Sequence, residues 1–99
     1  MATGAPPRAA ALETLQRVRA GESFESAHAT AVARLDDADR RLAHEIAAGV
    51  LRTRIQLDRQ LSSLVSGSWE TTPPDLRELL RIGAYQITQL DRVPPYAAV

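Results

Sequence analysis

Few side chains in this 99-residue chain are spaced for catalysis or metal binding. His44 and Glu45 begin the zinc motif His-Glu-x-x-His, but Ala48 stands where the second histidine belongs, and the only other histidine is His28. The chain contains no Cys, which excludes disulfides, cysteine-based metal sites and a cysteine nucleophile. Its glycines stand alone rather than in a phosphate-binding loop. We therefore expect no catalytic residues, no metal site and no cofactor held by this chain.

The function that remains is ligand binding, and the candidate binding residues are mainly arginines. All 12 basic residues are Arg, whose planar guanidinium suits phosphate contacts and base stacking, although codon usage in a GC-rich genome would have the same effect. In the last predicted helix, helical geometry places five residues along one edge: Arg77, Arg81, Tyr85, Thr88 and Arg92. Arginines that contact phosphate and a tyrosine that stacks on a base are common contacts to RNA. The alternative is an ordinary solvated face on which Glu78 pairs with Arg81.

Three further arginines are candidates for RNA contact. Arg8 lies in the first turn of the first predicted helix, where free N–H groups favour an anion such as a phosphate; an uninvolved surface arginine is the alternative. Arg52 and Arg54 flank a predicted break between two helices. The net charge is zero, so no global field attracts nucleic acid and binding depends on local groups. The predicted RNA-binding set is Arg8, Arg52, Arg54, Arg77, Arg81, Tyr85 and Arg92.

The elements that position these residues are all predicted to be helical. Apolar residues recur at helical spacing, and aromatic residues make up only 4% of the chain, which favours an all-α bundle of about five helices with short connections. Residues 1–7 are predicted as a disordered leader and residues 8–99 as one domain. Helices are predicted over about 7–20, 24–34 and 37–51, then, after a break near 52–54, through about 65, and finally over 74–90. Trp69 and Tyr96 are predicted to pack at loop–helix junctions.

The last predicted helix is apolar on more than one side, which is typical of a central helix in a bundle. One predicted apolar face contains Leu76, Leu79, Leu80, Gly83, Ile87 and Leu90, and Ile82 lies on another. Gly49 lies inside the third helix, where glycine costs helix stability, and this indicates close approach by another helix.

Several of these segments together carry a family resemblance. The most specific are Leu79-Leu-Arg-Ile-Gly-Ala-Tyr-Gln-Ile87 and Leu90-Asp-Arg-Val-Pro94, followed by Ala97-Ala-Val99. Segments from Arg8 to Leu15 and from Asp39 to Arg52, with Leu57-Asp58, support them. The chain resembles the NusB-type all-α RNA-binding domain from Arg8 onward, in the form that begins the RsmB-type ribosomal RNA cytosine-C5 methyltransferases.

The resemblance implies an RNA-binding module that positions ribosomal RNA for a Rossmann-like catalytic domain. That domain would use S-adenosylmethionine and a cysteine nucleophile, so this chain alone is not expected to be an enzyme. In stand-alone NusB proteins the same resemblance implies a transcription antitermination factor, which binds leader RNA together with a ribosomal protein. An inert helical fragment is the third alternative.

The resemblance also implies that part of the family's chain is absent here. The family continues after Ala-Ala-Val with a further helix, so we expect a C-terminally incomplete amino-terminal fragment without its last helices or its catalytic domain. An exposed apolar patch is then expected on the last helix. The sequence has no signal peptide and no apolar run of the ~18 residues that a membrane span requires, so the expected location is cytoplasmic and no membrane partner is expected.

Overall fold

The computed structural model describes residues 5–65 and 67–90, and every regular element in those ranges is helical. The elements are α1 (Ala5–Arg19), α2 (Phe24–Ala31), α3 (Asp37–Arg52), α4 (Arg54–Leu64) and α5 (Pro74–Tyr85), and α5 passes into a π-helical turn, Gln86–Leu90. The all-α prediction and the five helices are therefore confirmed. None of the helices in these ranges is long and apolar enough to cross a membrane.

Local signals in the sequence mark several helix boundaries. The Ser23 hydroxyl accepts a hydrogen bond from the Ser26 N–H at 3.2 Å and caps α2. An Asp36 carboxylate oxygen accepts one from the Asp39 N–H at 2.8 Å and caps α3. After α1, Gly21 adopts a φ of 107°, the left-handed conformation that glycine allows at a helix C-terminus.

Three predicted boundaries are corrected. α1 begins at Ala5, so residues 5–7, which were assigned to a disordered leader, are helical. Pro7 is buried, and a proline in the first helical turn removes no intrahelical hydrogen bond. α2 ends at Ala31 rather than near residue 34. The regular part of α5 ends at Tyr85, and the predicted continuation to residue 90 is the π-helical turn.

The core lies where α1, α3 and α5 meet, and α4 packs on α5. Its central cluster consists of Ala11, Leu15, Ile46, Ala47, Val50, Leu57, Ile82 and Tyr85. α1 and α3 contribute mostly small or branched apolar residues to it, so the helices approach closely. A second cluster around Ala10, Val32 and Ala43 fixes the segment that follows α2 against α1 and α3.

The orientation of α5 differs from the prediction. Its buried residues are Glu78, Arg81, Ile82 and Tyr85, which include the Arg and Tyr of the predicted solvent edge. By contrast, Leu76, Leu79 and Ile87 are 44%, 50% and 70% exposed, and Leu64 of α4 is 80% exposed. The predicted apolar patch on the last helix is thus present in the described part of the chain, because α5 presents its arginine–tyrosine face to the core and much of its leucine face to the surface.

Candidate nucleic-acid interface

Arg81 does not lie on a solvent edge but is buried, with 3% of its surface exposed. Its Nε and one terminal nitrogen donate to the two carboxylate oxygens of Asp58 at 2.6 and 2.9 Å, and the other terminal nitrogen donates to Glu78 at 3.0 Å. The guanidinium carbon lies 5.5 Å from the centroid of the buried Trp69 ring, which confirms Trp69 as a packing residue. The guanidinium of Arg81 is hydrogen-bonded to two carboxylates and covered by an aromatic ring. It is therefore not available to RNA, and the assignment of Arg81 to RNA contact was wrong.

Tyr85 is also part of the core rather than of an RNA-stacking surface, because only 1% of its surface is exposed. Its ring lies directly against Gly49 of α3, in the space that a Cβ atom at position 49 would need. The close approach predicted at Gly49 is therefore confirmed, and the partner is α5. Since both ring faces lie in the protein interior, Tyr85 cannot stack on a base, and its predicted RNA contact is corrected.

The remaining residues of the predicted edge are Arg77, Thr88 and Arg92, and the two that the structure describes do not form an RNA-binding surface either. Arg77 is partly buried, and its Nε is buried without a hydrogen-bond partner among the described residues. Thr88 is exposed, and its hydroxyl donates to the Ala84 carbonyl at 2.8 Å. Arg92 lies outside the described residues. The continuous arginine–tyrosine edge inferred from helical geometry is therefore not formed.

The break between α3 and α4 brings a different set of arginines to the surface. Thr53 alone separates the two helices, and both its N–H and its hydroxyl donate to the Gly49 carbonyl, at 3.0 and 2.7 Å. The residues around this break line a shallow concavity, called here the α3–α4 corner. It consists of Leu51, Arg52, Thr53, Arg54, Ile55, Gln56 and Arg59.

The α3–α4 corner is a local positive patch in a chain without net charge. Arg52, Arg54 and Arg59 are all exposed there, and none of the seven residues that line it is acidic. Asp58 lies in the same stretch of α4, but Arg81 holds both of its carboxylate oxygens. Within the described residues, neither Arg54 nor Arg59 forms an ion pair.

Arg52 is the one arginine of the corner with polar partners on its own domain. One of its terminal nitrogens lies 3.3 Å from the Tyr85 hydroxyl oxygen and 3.9 Å from Glu45 Oε2. The Tyr85 hydroxyl in turn donates to Glu45 Oε2 at 2.6 Å. Burial, together with the hydrogen bond to Glu45, raises the pKa of Tyr85 above its ordinary value, so this hydroxyl is a donor throughout the neutral pH range.

Arg8 lies at a separate place on the domain. It is exposed in the first turn of α1 and borders a groove between α1 and α5 that shares no residue with the corner. The structure therefore brings Arg52 and Arg54 together, as their sequence proximity predicts, and adds Arg59 from the next turns of α4. It does not bring Arg8 to them.

The two histidines form an aromatic cluster with Phe24. The His28 and His44 ring centroids are 5.1 Å apart, and Phe24 contacts both rings. No group of three or more potential metal ligands occurs within the described residues. Burial, and secondarily the charge of His44, lower the pKa of His28, so the cluster favours a neutral imidazole between α2 and α3.

Fold and surface together define a small all-α binding domain with one arginine-rich corner. The chain belongs to the NusB family, whose family model matches residues 5–99.

The chain is also similar to two ribosomal RNA methyltransferases. It is 40% identical over 65 residues to the probable ribosomal RNA small subunit methyltransferase B of Synechocystis sp.. It is 31% identical over 94 residues to the ribosomal RNA small subunit methyltransferase B of Pseudomonas putida. These matches cover 66% and 94% of this chain but only 15% and 21% of the two relatives. No solved structure matches the chain significantly.

Proposed function

We propose that this chain is an RNA-binding domain of the NusB type, and that its RNA contacts centre on the α3–α4 corner. The observation that carries the proposal is the group of three exposed arginines at that corner, Arg52, Arg54 and Arg59, with no acidic residue among its lining side chains. Phosphate oxygens are the natural partners of such guanidiniums, which hold them through paired hydrogen bonds. The exposed Ile55 and Gln56 add an apolar surface and an amide against which a base can lie.

The α3–α4 corner combines exposed arginine side chains with a fixed backbone, and RNA contacts require both. Arg54 and Arg59 are exposed and form no ion pair among the described residues, whereas the backbone beneath them is fixed by the Thr53 hydrogen bond and by the buried Leu57. Rigid elements that carry adaptable side chains lower the ordering cost of binding. Arg8, on a different groove, would serve as a second phosphate contact for an RNA long enough to reach it.

We further propose that the domain is the amino-terminal module of a ribosomal RNA cytosine-C5 methyltransferase. The names of the two relatives support this role, and they favour it over the antitermination role. The module would position ribosomal RNA for a catalytic domain that uses S-adenosylmethionine and that lies outside this chain. Such a protein would work in the cytoplasm, where ribosomal RNA is processed.

A titration of labelled RNA tests the corner. Fluorescence anisotropy with a single-stranded RNA of about 12 nucleotides, a length typical of such sites, would be measured between about 50 and 200 mM salt. Changing Arg52, Arg54 and Arg59 together to Ala is expected to weaken binding at least about tenfold and to reduce the salt slope by about 2, since each single-strand phosphate contact contributes about 0.7.

Arg34→Ala is the control, because Arg34 is also exposed but lies in the connection between α2 and α3, away from the corner at the other end of α3. It removes one positive charge without touching the corner, so its affinity is expected to stay near that of the unchanged protein. Equal affinity and equal salt slope for the triple variant and the unchanged protein would refute the corner as the RNA-binding surface.

The parent role has a separate test. The DNA downstream of the codon for Val99 can be sequenced: an in-frame methyltransferase domain that bears a cysteine would support the proposal, and the absence of one would contradict it. In the anisotropy assay, unlabelled fragments of small-subunit ribosomal RNA are expected to displace the labelled RNA from this domain without any added protein. A requirement for a ribosomal protein and for leader RNA would instead favour the antitermination role.

A further inference from the structure

The buried Tyr85 hydroxyl contacts two surface side chains of α3, Glu45 and Arg52. Glu45, Gly49 and Arg52 stand at positions i, i+4 and i+7, so they share one face of that helix. The buried Tyr85 ring crosses this face at Gly49, where a Cβ atom would overlap it. Its hydroxyl therefore lies, itself buried, between a carboxylate and a guanidinium whose side chains are 49% and 62% accessible.

The Tyr85 hydroxyl, the Glu45 carboxylate and the Arg52 guanidinium all lie within contact distance of one another. The hydroxyl donates its single proton to Glu45 Oε2 at 2.6 Å and accepts from Arg52 at 3.3 Å. The direct separation between Arg52 and the same Glu45 oxygen is 3.9 Å, which is beyond hydrogen-bonding distance. The phenol oxygen thus occupies the position that a close carboxylate–guanidinium contact would otherwise take.

We propose that Tyr85 is a positioning residue for the α3–α4 corner: its hydroxyl holds the Glu45 carboxylate off Arg52 and so keeps that guanidinium free for a phosphate of single-stranded RNA. This inference rests on the proposed RNA-binding function and adds to it a regulating contact from the core. Without the hydroxyl, the Glu45–Arg52 ion pair at 3.9 Å shortens to hydrogen-bonding distance, and an internal anion then competes with RNA for Arg52.

A purely structural explanation of Tyr85 accounts for the ring but not for the hydroxyl. Phenylalanine would fill the same space against Gly49, and a buried hydroxyl must recover its lost hydration through partners. Here the partners are one acidic and one basic side chain of the surface. The hydroxyl therefore links the conformation of α5 to the charge presented at the corner.

The test is a double-mutant cycle in RNA affinity, with the labelled single-stranded RNA described above. Tyr85→Phe is expected to weaken binding about two- to fivefold, the range of a surface ion pair expressed as affinity. Glu45→Gln is expected to bind at least as tightly as the unchanged protein, because a neutral amide cannot neutralise Arg52. Adding Tyr85→Phe to Glu45→Gln is expected to have no further effect.

Two outcomes would overturn the inference: unchanged affinity in Tyr85→Phe, or the same loss on adding Tyr85→Phe to Glu45→Gln as to the unchanged protein. The second outcome is what a structural role alone gives. If Tyr85→Phe does not fold, Glu45→Gln alone decides the matter, since affinity below that of the unchanged protein contradicts the inference and higher affinity supports it.

Arg52→Ala separates this inference from the proposed function. If Arg52→Ala weakens binding while Tyr85→Phe does not, the corner stands and only the positioning role of Tyr85 fails. If neither Arg52→Ala nor the triple corner variant changes affinity, the RNA-binding corner itself fails and the positioning role fails with it.

Discussion

Arg81 of α5 and Asp58 of α4 form a two-bonded ion pair at 2.6 and 2.9 Å, and this pair holds the two helices together inside the bundle. The planar guanidinium matches the two carboxylate oxygens, and its remaining nitrogen is taken by Glu78. Arg19 of α1 extends the network to Glu78 at 3.5 Å and to Asp75 at 2.7 Å. The charge of Arg81, which the sequence alone assigned to a ligand-binding edge, therefore contributes to the packing of three helices.

Removing Arg81 is expected to destabilise the fold. Arg81→Ala leaves the carboxylates of Asp58 and Glu78 without their shared partner, and losing one side of a buried pair costs about 3–5 kcal/mol. Urea denaturation followed by circular dichroism measures the change. Arg41→Ala, at an exposed position of α3, is the control and is expected to stay within about 0.5 kcal/mol. An Arg81→Ala protein as stable as this control would contradict the structural role.

Two glycine-to-alanine changes are expected to act in opposite directions. Gly49→Ala places a Cβ atom inside the Tyr85 ring, and overpacking of this kind costs about 1–3 kcal/mol. Gly83→Ala meets nothing within 4 Å and gains up to about 1 kcal/mol of helix propensity. Thermal melting of both variants checks the sign. Equal effects of the two changes would show that the ring does not lie against Gly49.

Protonation of His28 is expected to make the fold less stable in mild acid. Its pKa is lowered in the folded chain, so the unfolded chain binds the proton first as the pH falls below the ordinary value of 6.5. Stability is then present above that value and is lost as the pH falls toward the folded pKa. Denaturation midpoints measured from pH 7.5 to 5 would show this decline. His28→Gln is expected to flatten it, and an unchanged slope in that variant would assign the decline to other groups.

The exposed apolar residues between α4 and α5 are expected to bind a hydrophobic dye and to promote self-association. Changing Leu64 and Ile87, 80% and 70% exposed, to Ser is expected to lower dye fluorescence and the sedimentation-derived mass without loss of stability. Ile55→Ser is the control, because Ile55 is 77% exposed but lies at the corner instead. An unchanged protein that sediments as a monomer and does not bind the dye would contradict this prediction.

Much of the architecture follows from short-range signals in the sequence. Ser23 and Asp36 begin helices because their side chains accept the first free N–H groups, and Gly21 follows a helix end because it tolerates a positive φ. The break at Thr53 was predictable because the apolar positions change face there. Gly49 predicted a close contact between helices, but the sequence did not identify Tyr85 as the residue that makes this contact.

The orientation of α5 could not be predicted from the sequence and is known from the packing of the folded chain. Helical periodicity groups Arg81 and Tyr85 on one edge, but it does not say whether that edge meets solvent or the core. Burial is decided by long-range partners: Asp58 on α4 for Arg81, and Glu45 and Gly49 on α3 for Tyr85. The five helices and the caps that begin α2 and α3 were therefore predictable, because they depend on neighbouring residues. The burial of Arg81 and Tyr85 was not, because it depends on Asp58 and Glu45, which lie 23 and 40 positions away in the chain.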